Sequence, residues 1–310
     1  MKRNVVAFIL VVGMMILACG CGGKGKGADV PEESAFSFEE LAGIEFHFDS
    51  NGRTTVMIHA DGSFQGEYFD VDSGSTGEDF QETEYRCDFS GQFTQPVKVN
   101  DYTYSVQIEE MNYKKEVGKE EIKEGVRYIY SDAYGLAEAE NILIYLSGAP
   151  LEELPEEYRS WTGYYDSAAD EVLPCYGLYN EERRYGFSSC RVADNLRDMI
   201  ASVEEGTAPI EEALADSSMV LEERCEKADA LCKWWDTALD YVWEALQKTQ
   251  DAETLRTLTE NEREWIVVRE QLAVEAGTAY EDEEQQSMAM NLATAELTKE
   301  RVYELLKHFE

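Results

Sequence analysis

Apolar residues recur at every second position through most of the first half of the chain and at every third or fourth position through the second half. That change of period predicts strands followed by helices. Ile44, Phe46 and Phe48 alternate with polar neighbours, and Phe64, Gly66 and Tyr68 follow a hairpin turn at Asp61 and Gly62. The alternation returns at Tyr85, Cys87 and Phe89, at Tyr102, Tyr104, Val106 and Ile108, at Val126, Tyr128 and Tyr130, and at Ile142, Ile144 and Leu146. Turn signals at Asn51-Gly52, Ser90-Gly91, Asn100-Asp101 and Glu124-Gly125 separate these runs. Strands so spaced, with one aromatic face, predict an antiparallel sheet that closes into a small barrel or stacks as a sandwich. A connector interrupted by Pro150 and Pro155 leads to a last strand around residues 175–179, where Cys175 and Cys190 bracket a hairpin and are a candidate disulfide pair.

From Val192 the period is that of a helix. A short helix is expected over residues 192–203, ending near Gly206, with a second one starting at residues 207–209. Cys225, Ala228, Cys232, Trp235, Leu239, Val242 and Leu246 form a heptad-like seam, and Met288, Leu292, Ala295, Val302, Leu305 and Phe309 share a face of the last helix. Breaks near residues 249–251 and at Gly277 divide this region into three antiparallel helices. The fold class is therefore α+β, with a β barrel or sandwich over residues 36–190 and a helical bundle over residues 191–310.

One face of the middle helix is unusual. Leu255, Leu258, Glu262, Trp265, Arg269 and Leu272 follow one another by steps of three and four, so large apolar side chains share a stripe with a carboxylate and a guanidinium. An unpaired buried charge costs on the order of several kcal/mol. Glu262 and Arg269 must therefore be paired or lie where a partner reaches them. In the first case Arg269 pairs with Glu262, or with Glu296 on the next helix; in the second the same residues form a binding face.

The N-terminus sets the location. Lys2 and Arg3 precede an apolar run from Val5 to Ala18. This run is shorter than the roughly 20 residues of a membrane-spanning helix, so residues 1–18 read as a secretory signal. Its end, Ile16, Leu17, Ala18 and Cys19, resembles a bacterial lipoprotein box in which the cysteine is lipidated, with Cys21 in a poorer context. Two acyl chains on Cys19 suffice for stable anchoring, which places the protein outside the cytoplasm on the cell membrane. The glycine-rich residues 19–35 read as a flexible tether.

Composition narrows the chemistry. The net charge of -37, from 27 basic and 64 acidic residues, repels nucleic acid and favours encounter with cationic partners; it also serves solubility alone. Seven cysteines occur, five of them in the folded part. In one unbroken helix Cys225 and Cys232 would stand about 10 Å apart. Either the helix starts between them and they pair, or each bonds elsewhere or stays a thiol. The acidic residues 70–79 depart from the calcium-loop template, with Gly74 one place early and Gln81 at the twelfth position. Three histidines in no metal-ligand spacing, with no phosphate loop and no nucleophile motif, leave no catalytic set, cofactor or metal to expect.

Two resemblances add to this reading. The phrases ADGSFQGEYFD, NDYTYSVQIEE and GVRYIYSDAYGL, within residues 46–161, resemble uncharacterised lipoproteins of Gram-positive anaerobes with a lipocalin-like look. A hollow barrel lined by Tyr68, Tyr104, Tyr128 and Tyr130 would take a small apolar or glycan ligand; a filled one makes these rings core. Residues 225–306, with LCKWWDTALDYVWEAL, LTENEREWIVVRE and AELTKERVYELL, are similar to the helical domain of the lysozyme-inhibitor LprI type. The chain keeps that family's Trp265, Arg269, Leu297, Thr298 and Arg301 but has Glu262 for Gln, Glu270 for Asp and Asp240 for Asn. Two family cysteines would fall near Ala273 and Ala293, and both are absent. The resemblance implies a non-enzymatic protein-binding module whose partner is a basic secreted protein such as lysozyme, with residues 280–284 as the loop that could reach a hydrolase cleft. The alternative is a small-ligand-binding lipoprotein whose barrel does the binding and whose helices are scaffold.

Overall fold

Twelve strands and five α-helices make up the described part of the chain in a computed structural model, which describes residues 36–165, 171–216 and 218–309. The expected signal at residues 1–18, the lipidation candidate Cys19, Cys21 and the expected tether at residues 19–35 lie outside the described residues. Phe36–Glu310 is one compact unit.

The strands are β1 (Ile44–Asp49), β2 (Arg53–Ile58), β3 (Ser63–Asp72), β4 (Glu82–Phe93), β5 (Val97–Lys98), β6 (Thr103–Val106), β7 (Ile108–Tyr113), β8 (Glu120–Lys123), β9 (Val126–Tyr130), β10 (Ile142–Tyr145), β11 (Gly177–Asn180) and β12 (Tyr185–Arg191). They form one curled sheet, a half-barrel, in the order β5-β6-β10-β11-β12-β1-β2-β3-β4-β9-β8, with β7 pairing β4. Pairing is antiparallel except between β4 and β9, which run parallel. The period-two pattern explains the packing: Ile44, Phe46 and Phe48 of β1 are buried and share a core with Val56, Ile58, Phe64, Phe89 and Phe187. Ser90-Gly91 is not a turn but lies inside β4, opposite Phe64 of β3 and Met111 of β7. A Cβ at Gly91 would collide with the Glu110 carbonyl oxygen and the Phe64 ring, so the glycine serves close strand approach.

The four tyrosines have different surroundings. Tyr104 is buried in the core beside Phe36, and Tyr68 packs against that core next to Tyr134. Tyr128 lies under the Arg86 guanidinium, and the Tyr130 hydroxyl donates to Glu121. Between β10 and β11 the connector forms a short helix, α1 (Glu156–Thr162). It buries Tyr158 with Tyr145, Leu151, Leu173 and Tyr179 in a second, smaller core.

The helices are α2 (Val192–Ala215), α3 (Leu221–Thr249), α4 (Ala252–Gly277) and α5 (Glu283–Leu306). α2 follows β12 directly and corrects the expected break: it runs through Gly206 and Pro209 as one helix. The proline removes a backbone donor, but burial of Val203 and Thr207 on one side and the packing of Ile210 and Leu214 hold the helix together. Asp251 caps α4 by accepting from the Glu253 and Thr254 amides, and Asp282 caps α5 by accepting from the Gln285 amide. α5 packs against both α3 and α4. No helix among the described residues is long and apolar enough to cross a membrane.

The helices meet the sheet through Met57, which joins the helical core, and through Lys248, whose Nζ lies 3.1 Å from Glu67 and 2.8 Å from Glu244. Half-buried Glu45 faces the same junction with Leu196, Ala245 and Lys248. Burial raises its carboxyl pKa, against the attraction of Lys248. A carboxyl whose folded pKa is raised contributes stability below its unfolded pKa and loses that contribution as pH rises through the folded one. Glu45→Gln is therefore expected to raise the melting temperature at neutral pH, with the gain disappearing well below the ordinary glutamate range. Thermal melts at the two pH values check this, and a lower melting temperature at neutral pH would contradict it.

Candidate functional site

The charged stripe of α4 is turned toward α5 and α3, and both of its charges are satisfied by other helices. Glu262 accepts from Arg301 of α5 at 2.9 Å from Nε, and Nη2 of the same guanidinium is 2.8 Å away. Arg301 Nη1 also donates to Glu304 at 2.7 Å. The side chains of Arg301 and Glu262 are only 7% and 12% exposed, so this is a buried ion pair. Burial lowers the Arg301 pKa, and Glu304 and Glu262 reverse that and raise it. Arg269 donates to Asp236 of α3 at 3.0 Å and to Thr298 of α5 at 3.2 Å. Thr298 in turn donates to Asp236 at 3.4 Å. The Trp265 ring is flanked by two guanidiniums, Arg269 at 5.0 Å and Arg301 at 5.6 Å from its centroid.

The sequence expectation for these residues is corrected in one respect. Glu262 pairs with Arg301, not with Arg269, and Glu296 takes no part. Seven residues along a helix span about 10 Å, beyond the reach of a direct pair between Glu262 and Arg269, whereas α5 passes alongside both. Leu272 is exposed, and Ala273 takes the inward position. Asp236 is the member that sequence reading missed. It lies one residue after the buried Trp235 on α3, and an aspartate following an aromatic carries no signal by itself on so acidic a chain.

The arrangement ties three helices together. Each guanidinium is already matched by a carboxylate, so the cluster serves as a brace between the helices. Because the Asp236 side chain is 46% exposed, the Arg269 pair is partly screened. Arg269→Ala is expected to lower stability by about 1–2 kcal/mol, through the lost pair and the lost contact with Trp265, with helical content unchanged. Urea unfolding followed by circular dichroism reads this; a chain that is already unfolded without denaturant would be the opposite result.

Among the described residues, all five cysteines are free thiols, which corrects both disulfide candidates. α3 starts at Leu221, so Cys225 and Cys232 lie on one continuous helix and cannot pair. Cys232 Sγ instead lies 3.7 Å from Asp236, and its thiol is pushed up to about 11 by burial and by that carboxylate. Cys190 Sγ accepts from Asn195 at 3.0 Å, and Cys175 lies by the Tyr164 hydroxyl. The fold also creates a contact that no motif announces. His47 of β1 and Ser188 of β12 are cross-strand partners, with Nε2 and Oγ 2.9 Å apart. Burial lowers the His47 pKa, while Asp49, two residues along, is engaged by Arg53 Nε at 2.6 Å. This is a strand-to-strand polar contact.

The α4–α5 connection carries the remaining expectation. Tyr280 is 41% exposed, and Glu281, Glu283 and Glu284 are exposed as well. Asp282 among them is committed to capping α5.

Residues 215–305 match the model of the family described as Lysozyme inhibitor LprI. The matched segment holds α3, α4 and nearly all of α5, and with them Asp236, Glu262, Trp265, Arg269, Thr298 and Arg301. No curated protein matches the chain, and no solved structure matches it.

Proposed function

We propose that the helical region captures a basic protein, with lysozyme or a similar cationic cell-wall hydrolase as its target, and that a lipid on Cys19 holds the chain on the extracytoplasmic face of the cell membrane. The observation that carries the reading is the LprI match over residues 215–305. Charge supports it: residues 251–310 contain 15 acidic and 6 basic side chains, a balance suited to fast capture of a basic enzyme. The cluster around Trp265 then acts as the brace that fixes the helices. Binding falls to outward surfaces, including the exposed Tyr280 and its acidic neighbours.

Purified full-length chain is expected to inhibit lysozyme at micromolar concentration, less at moderate salt than at low salt because exposed charges are screened. Clearing of a bacterial cell suspension by lysozyme reads this, and full lysozyme activity at micromolar chain would sink the proposal. Replacing Cys19 and Cys21 together with Ser is expected to release the protein from the membrane; retention there would remove the lipid anchor from the reading.

A further inference from the structure

Between α2, α3 and α5 runs a groove of about 540 Å³. Its floor is apolar, made by Leu231, Trp235, Leu292 and Ala295, and its edge carries Glu211, Glu296 and Glu300. All three carboxylates belong to exposed residues. Lys299 is the single cation among the lining residues. Its ammonium stands 4.9 Å above the Trp235 ring and 3.2 Å from Glu211. The groove therefore already demonstrates on its own lysine how it would hold a cation, between an indole face and a carboxylate.

We propose that this groove is a docking site for a basic segment of a protein partner, taking one arginine or lysine against Trp235 and an adjacent apolar side chain on the floor. The proposal rests on the capture of a basic protein suggested above and assigns that capture a surface. The occupant follows from complementarity. Three carboxylates against one ammonium leave the rim anionic, so an acidic or neutral apolar segment would be repelled or leave these charges unanswered, while a cationic one neutralises them. Lys299 occupies the position that the incoming cation would take. It is a resident competitor, half-exposed and free to swing into solvent when displaced. Arginine is the better visitor because its planar guanidinium both stacks on indole and bridges carboxylates.

Lys299 makes the test sharp. Lys299→Ala is expected to tighten binding of lysozyme by about threefold or more, because the competitor is gone. Lys233→Ala, which also removes one positive charge, from an exposed position on α3, is expected to change little. Replacing Glu211, Glu296 and Glu300 together with Gln is expected to weaken binding by about tenfold. The same replacement of the exposed Glu264, Glu270 and Glu275 on α4 is the equal-charge control and is expected to weaken it by less than about threefold. Titration calorimetry of the full chain with lysozyme, and with a synthetic peptide of arginine and leucine, reads all four variants. Lysozyme binding that responds equally to groove and control variants overturns the groove and leaves the inhibitor reading standing. Groove-dependent binding of the peptide with no binding of lysozyme supports the groove and overturns the inhibitor reading. A chain that binds neither overturns both.

Discussion

Arg301→Ala is expected to destabilise the helical region by about 3–5 kcal/mol, the scale of removing one partner from a buried ion pair. The substitution strands Glu262, whose side chain is 12% exposed, without the guanidinium that now meets it with two nitrogens. Thr298 does not substitute, because its hydroxyl is turned to Arg269 and Asp236. Trp265 keeps Arg269 but loses one of its two flanking cations. If the loss comes from the stranded charge, removing both charges must restore most of it. The double variant Glu262→Leu, Arg301→Met is expected to recover to within about 2 kcal/mol of the parent, since well-packed apolar replacements of buried ion pairs are often neutral. Equilibrium denaturation of the parent, the single and the double variant decides the matter. A single variant within about 1 kcal/mol of the parent would show that Glu262 finds water or another partner, and the brace would lose its central pair.

Trp235→Ala is expected to lower stability by about 3–5 kcal/mol as well, for a different reason. Trp235 is the largest fully buried side chain and belongs to the core shared by α2, α3, α4 and α5. Its ring neighbours Tyr303 at 6.2 Å and carries Lys299 above it. Alanine would leave a void that α3 and α5 close only in part, because their spacing is held by the rest of the seam. Trp235→Phe keeps much of the volume and is expected to lose less than half as much. The order parent, Phe, Ala in denaturation midpoint is the expected result, and equal midpoints for Phe and Ala would remove packing as the explanation.

The positions of the candidate site were legible in the sequence to different depths. Glu262, Trp265 and Arg269 could be found because a charged pair on an apolar stripe of one helix is a local irregularity. Thr298 and Arg301 came from family likeness and prove to be buried on α5. Asp236 and the Lys299–Trp235 contact were not legible, since each joins residues on separate helices and neither breaks a local pattern. The Ser188–His47 contact is of the same kind, spanning 141 positions. Where local rules were followed too literally, packing overrode them: Pro209 sits inside α2, and Gly91 sits inside β4.

By itself the sequence determined the α+β order of the chain, the strand and helix faces that are buried and the acidity of the surface. These follow from period two, period 3.6 and composition, which are properties of neighbouring residues. Only the tertiary structure decided which elements are neighbours: β1 beside β12, β4 parallel to β9, and α5 against both α3 and α4. It thereby decided that Glu262 meets Arg301 while Arg269 meets Asp236. Such pairings form between segments far apart in the chain, and the free energy that selects them comes from burying several faces at once, a quantity that no single stretch of sequence contains.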